Sequence, residues 1–466
     1  MLRILRKQSM RWLLLLALCE AVMLALSLMF ATHLRYWNKP DHMAMHSSYL
    51  FLRALVFGVT VVGALAALGL YQPRIRERWR GLLVRQLIGF ALGWVGAALL
   101  YYMMPSLDVG RAALGMALLI AFPLVGVFRV IFLRLIDVDA LKRRVLVLGC
   151  GRRAATIVEK MRRRVDRRGF TIVGFVPLEG ETPEVAENLL VAAPDGVRAC
   201  AERLEINEIV VGPDDRRGIL PMDELLDCRQ VGIAITMLSS FFEREAGRVQ
   251  LSLTDPSWLL FSGGFDASPL RRVTKRTFDV VAAAMVLLLT WPLMLLTAAA
   301  VMIESGPAAP VLYRQERVGE QEKLFRLTKF RSMRTDAEKD GVARWATKDD
   351  DRVTRVGRFI RKTRLDELPQ LWNVLRGDMS FIGPRPERPA FVADLSKKIR
   401  FYRIRHSVKP GLTGWAQLNY PYGASEQDAF EKLKYDLFYV KNHNLVLDMM
   451  ILVQTVEVVL FGRGAR

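Results

Sequence analysis

The sequence predicts a multi-pass membrane protein in three parts: a four-helix transmembrane bundle over residues 1–141, a small parallel α/β domain over 142–240, and a mainly α domain over 273–466, reached through a connector at 241–272. Three observations carry this. Four apolar runs follow one another near 12–32, 51–71, 82–104 and 112–133, each long enough to span a bilayer core. Residues 144–238 then alternate short apolar strands with helical stretches. A fifth apolar run, at 280–303, opens a region dense in charged motifs.

The chain has 466 residues, 52% of them hydrophobic, and a net charge of +20. Such a charge implies an anionic partner: lipid headgroups, phosphorylated substrates or nucleic acid. The basic residues cluster beside apolar segments, which favours anionic lipid over nucleic acid. The first run follows Arg3, Arg6, Lys7 and Arg11, but no small-residue cleavage site is seen and three more runs come after it. The loop holding Arg74, Arg76, Arg78 and Arg80 and the segment Lys142-Arg143-Arg144 are strongly basic, whereas 33–50 and 105–110 carry few positive charges. By the positive-inside rule both ends of the bundle are cytoplasmic, and the chain beyond Leu141 begins in the cytoplasm. Arg53 and Arg85, near run ends, are expected to snorkel. Cys19, Cys150, Cys200 and Cys228 lack metal-ligand spacing and are expected to be reduced.

In the middle domain, strands are expected at 145–148, 172–176, 208–211 and 233–238. After the first comes Gly149-Cys150-Gly151-Arg152-Arg153-Ala154, similar to a dinucleotide-binding turn. The second strand ends in Phe175-Val176-Pro177, without the acidic ribose partner that turn requires. A degenerate Rossmann-like α/β domain with structural glycines is therefore expected over 142–240, with a nucleotide or regulatory ligand left open.

The fifth run is nominally long enough to cross, but Trp291-Pro292 sits at its centre and both flanks are basic. A mid-helix proline kinks a helix, and a crossing usually shows charge asymmetry. A re-entrant helix over about 278–303, kinked at Pro292, is expected.

The chain is organised around residues 352–386. A basic amphipathic stretch, with Val353, Val356, Phe359 and Ile360 on one arc, reads as an interfacial helix on anionic lipid. Asp366-Glu367 follows, with Pro369 in the first turn of a helical pattern. A carboxylate there is expected to stay ionised beside the helix dipole, and an ionised carboxylate can attack phosphorus. Adjacent positions on a helix diverge, so the two carboxylates could take different tasks. The plain alternative is a cap and a dipole partner. Arg385, held between Pro384 and Pro386, Arg331 and, more weakly, Lys329 are expected to contact phosphate; for Arg331 a surface charge on the membrane side is nearly as good a reading. Gly411, Thr413 and Gly414, followed by Trp415, could cradle a nucleotide diphosphate, although glycine turns more often serve the fold. The last apolar stretch, 445–461, holds Asp448 and Glu457 and is expected to pack as an amphipathic helix.

Residues 271–466 resemble the bacterial sugar transferase family, the polyprenyl-phosphate sugar-1-phosphate transferases. The resemblance rests on Lys329-Phe330-Arg331-Ser332-Met333, Leu365-Asp366-Glu367-Leu368-Pro369-Gln370-Leu371, Arg376-Gly377-Asp378-Met379-Ser380, Gly383-Pro384-Arg385-Pro386-Glu387 and Lys409-Pro410-Gly411-Leu412-Thr413-Gly414. The four runs and middle domain resemble its large form, including the exosortase-associated exopolysaccharide subgroup. The resemblance implies a monotopic catalytic domain on the cytoplasmic face of the bacterial inner membrane. It implies transfer of a sugar-1-phosphate from a UDP-sugar to undecaprenyl phosphate, with release of UMP. Asp366 would be the nucleophile and Glu367 would help hold Mg2+; a homo-oligomer is left open. An NAD-dependent nucleotide-sugar dehydratase also joins four spans to such a middle domain, but its Tyr-x-x-x-Lys spacing does not occur here. A non-enzymatic membrane regulator would leave Asp366-Glu367 and Pro384-Arg385-Pro386 unexplained.

Overall fold

Helices α1 (Gln8–Tyr36), α2 (Leu50–Ala67), α3 (Trp79–Met103) and α4 (Arg111–Leu135) occupy the first four apolar runs. Each contains a segment long and apolar enough to cross a membrane. The computed structural model describes residues 8–38, 49–71, 79–104, 109–135, 142–161, 167, 169–215, 220–253, 268–306, 309–337, 351–421, 423 and 425–461. It divides into two units, Met1–Ala246 and Gly247–Arg466.

In the first unit, small residues let the helices approach: a Cβ on Gly58 would lie 2.8 Å from the Ala21 carbonyl oxygen. The bundle also buries charge. Arg129 donates from Nε to Glu20 at 2.8 Å, and the Tyr71 hydroxyl donates to the same carboxylate. Such a pair survives in an apolar interior because its opposite charges offset each other. Arg53 and Arg85 do not snorkel; both are buried. Arg85 donates to the Leu68 carbonyl at 3.0 Å, just past α2, where helix carbonyls lack partners.

The same unit continues through β1 (Arg143–Leu148), α5 (Arg152–Lys160), β2 (Phe170–Val176), α6 (Gly196–Arg203), β3 (Glu208–Val211), α7 (Met222–Gln230), β4 (Ala234–Met237) and α8 (Leu238–Ala246). The strands pair in parallel in the order β2-β1-β3-β4. Each helix between strands returns the chain to the same end of the sheet, as parallel pairing demands. Leu146, Ile209 and Val211 pack against Val197, Ala201 and Leu225. Glu208 accepts from Arg244 and Thr236 at 2.7 and 2.6 Å, fixing α8 to the sheet. At the glycine turn, Arg152 and Arg153 amides donate to Asp214, and the Cys150 and Asp214 amides donate to Glu181. The chain's own carboxylates thus fill the seat where a phosphate would lie. All four cysteines are free thiols.

The second unit starts from α9 (Pro269–Ser305), a single helix that runs through Pro292 without interruption. Then come the antiparallel pair β5 (Leu312–Val318) and β6 (Leu324–Phe330), helices α10 (Arg355–Lys362) and α11 (Gln370–Arg376), and β7 (Ser380–Ile382). α12 (Pro389–Lys398) precedes β8 (Gly411–Thr413), which pairs in parallel with β7; α13 (Trp415–Asn419), α14 (Glu426–Asn442) and α15 (Leu445–Phe461) complete the unit. Before Pro292, Ala282 and Ala283 of α9 join a core with Leu371, Val374 and Phe381. After it, Val301 packs with Phe330 and Ile360. Its other side leaves Leu288, Leu289 and Leu296 exposed.

Polar clamps anchor α9. Asp279 accepts from Ser380 Oγ at 2.9 Å and the Phe381 amide at 3.0 Å. Arg276 donates to the Val374 and Leu375 carbonyls, each at 2.6 Å, near the C-terminus of α11. Glu304 accepts from the first amides of α10, Arg355 at 2.8 Å and Val356 at 3.2 Å. This clamp explains a departure from the sequence reading of α10. Val356 and Ile360 turn inward against Val301 and Phe330, and of the apolar arc Phe359 stays exposed. Ile360 of the arc expected on lipid is thus core, with Val356 packed beside it. α15 packs on its own unit, with Asp448 fully buried and bonded to Tyr439 at 2.8 Å.

Candidate active site

Asp366-Glu367 lies in a 3-10 turn, Leu365–Glu367, just before α11. The turn is entered through Arg364 at φ 61°, a left-handed conformation that side chains disfavour. It reverses the chain out of α10 and buries Asp366, which is 7% exposed. Asp366 Oδ1 has no hydrogen-bond partner among the described residues. Burial, and next the Glu367 charge, push the Asp366 carboxyl up to about 6. The expected ionised state at neutral pH stands, but the helix dipole is not the dominant influence: the 3-10 turn sets the group ahead of α11, and desolvation raises it. The group is still largely ionised at pH 7.

Glu367 moves the other way. Burial pushes it up, but Arg385, Arg364 and Lys329 outweigh that and hold it below its usual range. Arg385 Nη2 donates to its Oε1 at 2.8 Å, and Arg364 Nη1 lies 3.4 Å from the same oxygen. Two neighbouring carboxylates are therefore driven apart, the pattern that separates acid–base roles in a site.

The cations come from β5, β6 and the Pro384-Arg385-Pro386 loop. Lys329 on β6 lies opposite Tyr313, with its ammonium 5.4 Å from the ring centre. Burial and then Arg317 pull it down to about 8, against Asp366. Arg331 is 6% exposed, and neither Nη1 nor Nη2 has a partner among the described residues. A buried guanidinium without acceptors is costly and suits an incoming anion. Arg405 fixes the Arg385 loop: it donates to the Arg385 carbonyl at 3.0 Å and pairs with Asp436 at 2.8 Å.

Two positioning residues escaped the sequence reading. Arg317 donates to the Pro386 carbonyl at 3.1 Å. Its role depends on contact with a loop 69 residues away, which local spacing does not announce. Asn373 on α11 accepts from the Thr328 amide at 3.1 Å and donates to the Arg326 carbonyl at 2.8 Å. It ties α11 to β6 and so sets Lys329 beside the carboxylates.

Gly411, Thr413 and Gly414 lie behind this arrangement. The Gly411 amide donates to the Pro384 carbonyl at 2.9 Å, and Gly383 donates to Thr413. A Cβ on Gly411 would stand 2.0 Å from the Gly383 nitrogen, so glycine is needed for backbone to meet backbone. Thr413 shares a hydrogen bond with Thr455 at 2.9 Å, and the Trp415 indole donates to Gly247 at 2.6 Å. These contacts support the loop that carries Arg385. Pro292 lies within α9.

The second unit thus presents a buried Asp366 and a half-buried Glu367 beside Lys329 and Arg385, with Arg331 buried just past β6, in a unit that opens on a long apolar helix. Residues 270–462 match the bacterial sugar transferase family. The chain is 43% identical over 242 residues to the UDP-N-acetylgalactosamine-undecaprenyl-phosphate N-acetylgalactosaminephosphotransferase of Aeromonas hydrophila, covering 52% of this chain and 56% of that protein. It is 33% identical over 331 residues to the undecaprenyl-phosphate glucose phosphotransferase of Komagataeibacter xylinus, covering 70% and 60%. It is 43% identical over 194 residues to the UDP-glucose:undecaprenyl-phosphate glucose-1-phosphate transferase of Caulobacter vibrioides (strain ATCC 19089 / CIP 103742 / CB 15), covering 40% and 72%. The chain spans 56% and 60% of the length of the first two. It belongs to the bacterial sugar transferase family.

Proposed function

We propose that this protein transfers a sugar-1-phosphate from a UDP-sugar to undecaprenyl phosphate at the cytoplasmic face of the inner membrane, initiating an exopolysaccharide repeat unit. The observation that carries the reading is Asp366 Oδ1: a buried, unpartnered carboxylate oxygen whose charge is offset by Lys329 and Arg385. Asp366 attacks the donor phosphorus that bears the sugar. The bond from that phosphorus to the oxygen of the UMP phosphate breaks, and UMP leaves with the electron pair. The aspartyl-phosphosugar is then attacked by a phosphate oxygen of undecaprenyl phosphate, which forms the lipid diphosphate-sugar and restores the Asp366 carboxylate. Arg331, Arg385 and Lys329 offset charge on the transferring group.

The described residues hold no group of three or more His, Cys, Asp or Glu side chains suited to a metal. Mg2+ does not require one, since it typically takes one or two carboxylates and completes its shell with phosphate and water. The Asp366-Glu367 pair, with its orphan oxygen, fits that need, and Glu367 is the residue assigned to hold the ion. When bound, Mg2+ would neutralise the donor diphosphate. Re-entry of α9 is part of the same reading, because contacts at Arg276 and Glu304 tie both its ends into one unit. The α/β domain, read as Rossmann-like, is given no dinucleotide, since Asp214 and Glu181 hold its turn amides.

The test is UMP release from a panel of UDP-sugars with undecaprenyl phosphate and Mg2+. Wild type should release UMP, and radiolabelled donor should leave label on the protein; Asp366→Asn should do neither. Turnover by Asp366→Asn at the wild-type rate would sink the covalent route.

A further inference from the structure

A cleft adjoins the loop that carries Arg385. Glu387, Phe391, Tyr402, Ala429, Lys432 and Asp436 line it, with Leu395 and Arg405. Its frame is rigid: Arg405 and Asp436 are buried and paired, Arg405 Nη1 donates to the Tyr402 hydroxyl at 3.1 Å, and Lys432 donates to the Gly423 carbonyl at 2.9 Å. Glu387 stands two residues beyond Arg385, and Arg317 approaches it to 3.8 Å. The Lys432 ammonium feels the charges of both Glu387 and Arg385, so the cleft borders the guanidinium proposed to hold the donor phosphate.

The lining is not that of an anion site. Two carboxylates, one ammonium, one guanidinium and a phenol balance each other, and Phe391, Leu395 and Ala429 supply an apolar wall. Carboxylates repel phosphate but accept from hydroxyls, and an apolar wall suits the C–H face of a ring. We propose that this cleft seats the sugar of the activated donor, and that Glu387 and Lys432 read its hydroxyl pattern while Ala429 sets how large a substituent fits. The assignment rests on the transferase reading above. It makes the cleft a specificity site separate from the chemistry at Asp366, and it puts the nucleotide elsewhere.

Lys432→Met and Ala429→Phe test this in the full-length protein in membranes. Each is assayed by UMP release with UDP-glucose, UDP-galactose and their N-acetylated counterparts, and by inhibition with UDP, which lacks the transferred sugar. In at least one variant the ratio of kcat/KM between the best donor and its C4 epimer or N-acetyl counterpart should change tenfold or more, while the inhibition constant of UDP stays within twofold. An unchanged donor ranking in two active variants would overturn the assignment. A UDP inhibition constant that moves in step with KM would also overturn it, because the cleft would then hold the nucleotide. A wild type inert with every donor would instead remove the transferase reading, and this inference with it.

Discussion

Asp366 carries a conflict between stability and chemistry. Its carboxyl is raised to about 6 from the ordinary 3.8, burial being the main cause. A folded-state pKa above the unfolded one means that the proton favours the folded protein. That stabilisation is full below about 4 and is lost as pH rises through about 6. Asp366→Asn should therefore raise the melting temperature at pH 8, by roughly 1–3 kcal/mol in stability, with the gain shrinking toward pH 4. The same change should abolish transfer. On the proposed covalent route, the wild-type rate should fall as pH drops through 6, because Asp366 becomes protonated. Thermal melts of both proteins at pH 5 and 8 check the sign; an equal gain at both would place the effect outside this ionisation. Arg331 makes a parallel case. Its unpartnered, buried guanidinium should make Arg331→Met neutral or stabilising in a melt, yet raise KM for the donor. A variant with unchanged KM would remove Arg331 from the phosphate site.

Single elements set the geometry. Asn373 joins α11 to β6, and Asn373→Leu would leave the Thr328 amide and Arg326 carbonyl unpaired. The expected loss is about 2–4 kcal/mol in a denaturant melt, with a fall in kcat as Lys329 shifts from Asp366. In the α/β domain, Asp214 holds the first two amides of α5. Asp214→Ala should cost about 1–2 kcal/mol, as lost caps do. How much of this was legible depends on distance along the chain. The four long apolar helices, the strands and the Asp366-Glu367 turn write themselves in local pattern: unbroken apolar length, short apolar runs, and an acidic pair before a proline. The partners of those elements do not. Glu20 meets Arg129 across 109 residues, and Arg405 meets Asp436 across 31, with no local spacing to announce either. The reading of α10 failed for the same reason. Its amphipathic arc was correctly spaced, but periodicity cannot tell a bilayer from Val301 and Phe330 as the apolar neighbour.

At the scale of the second unit, the decisive matter is which side of a membrane its parts occupy. Arg276 and Glu304 are 28 positions apart, roughly 42 Å along a straight helix, more than the ~30 Å of a hydrocarbon core. Length alone would thus allow α9 to cross. The contacts argue against it. Arg276 bonds the end of α11, while Glu304 bonds the start of α10, and the turn with Asp366 links those two helices. A crossing would have to pull these attachments to opposite sides of the bilayer. On the proposed re-entrant reading, a single leaflet supplies the apolar surrounding that the exposed Leu288, Leu289 and Leu296 need. Single cysteines at Ser268 and Ser305, introduced one at a time, should react with a membrane-impermeant maleimide from the cytoplasmic face in inverted vesicles, and neither should react in intact cells. A cysteine at Leu289 should be protected in both. The chain's own thiols set the background, which the unsubstituted protein measures. Labelling of Ser268→Cys and Ser305→Cys from opposite faces would show that α9 crosses, and would leave Asp366 on the side where UDP-sugars are absent.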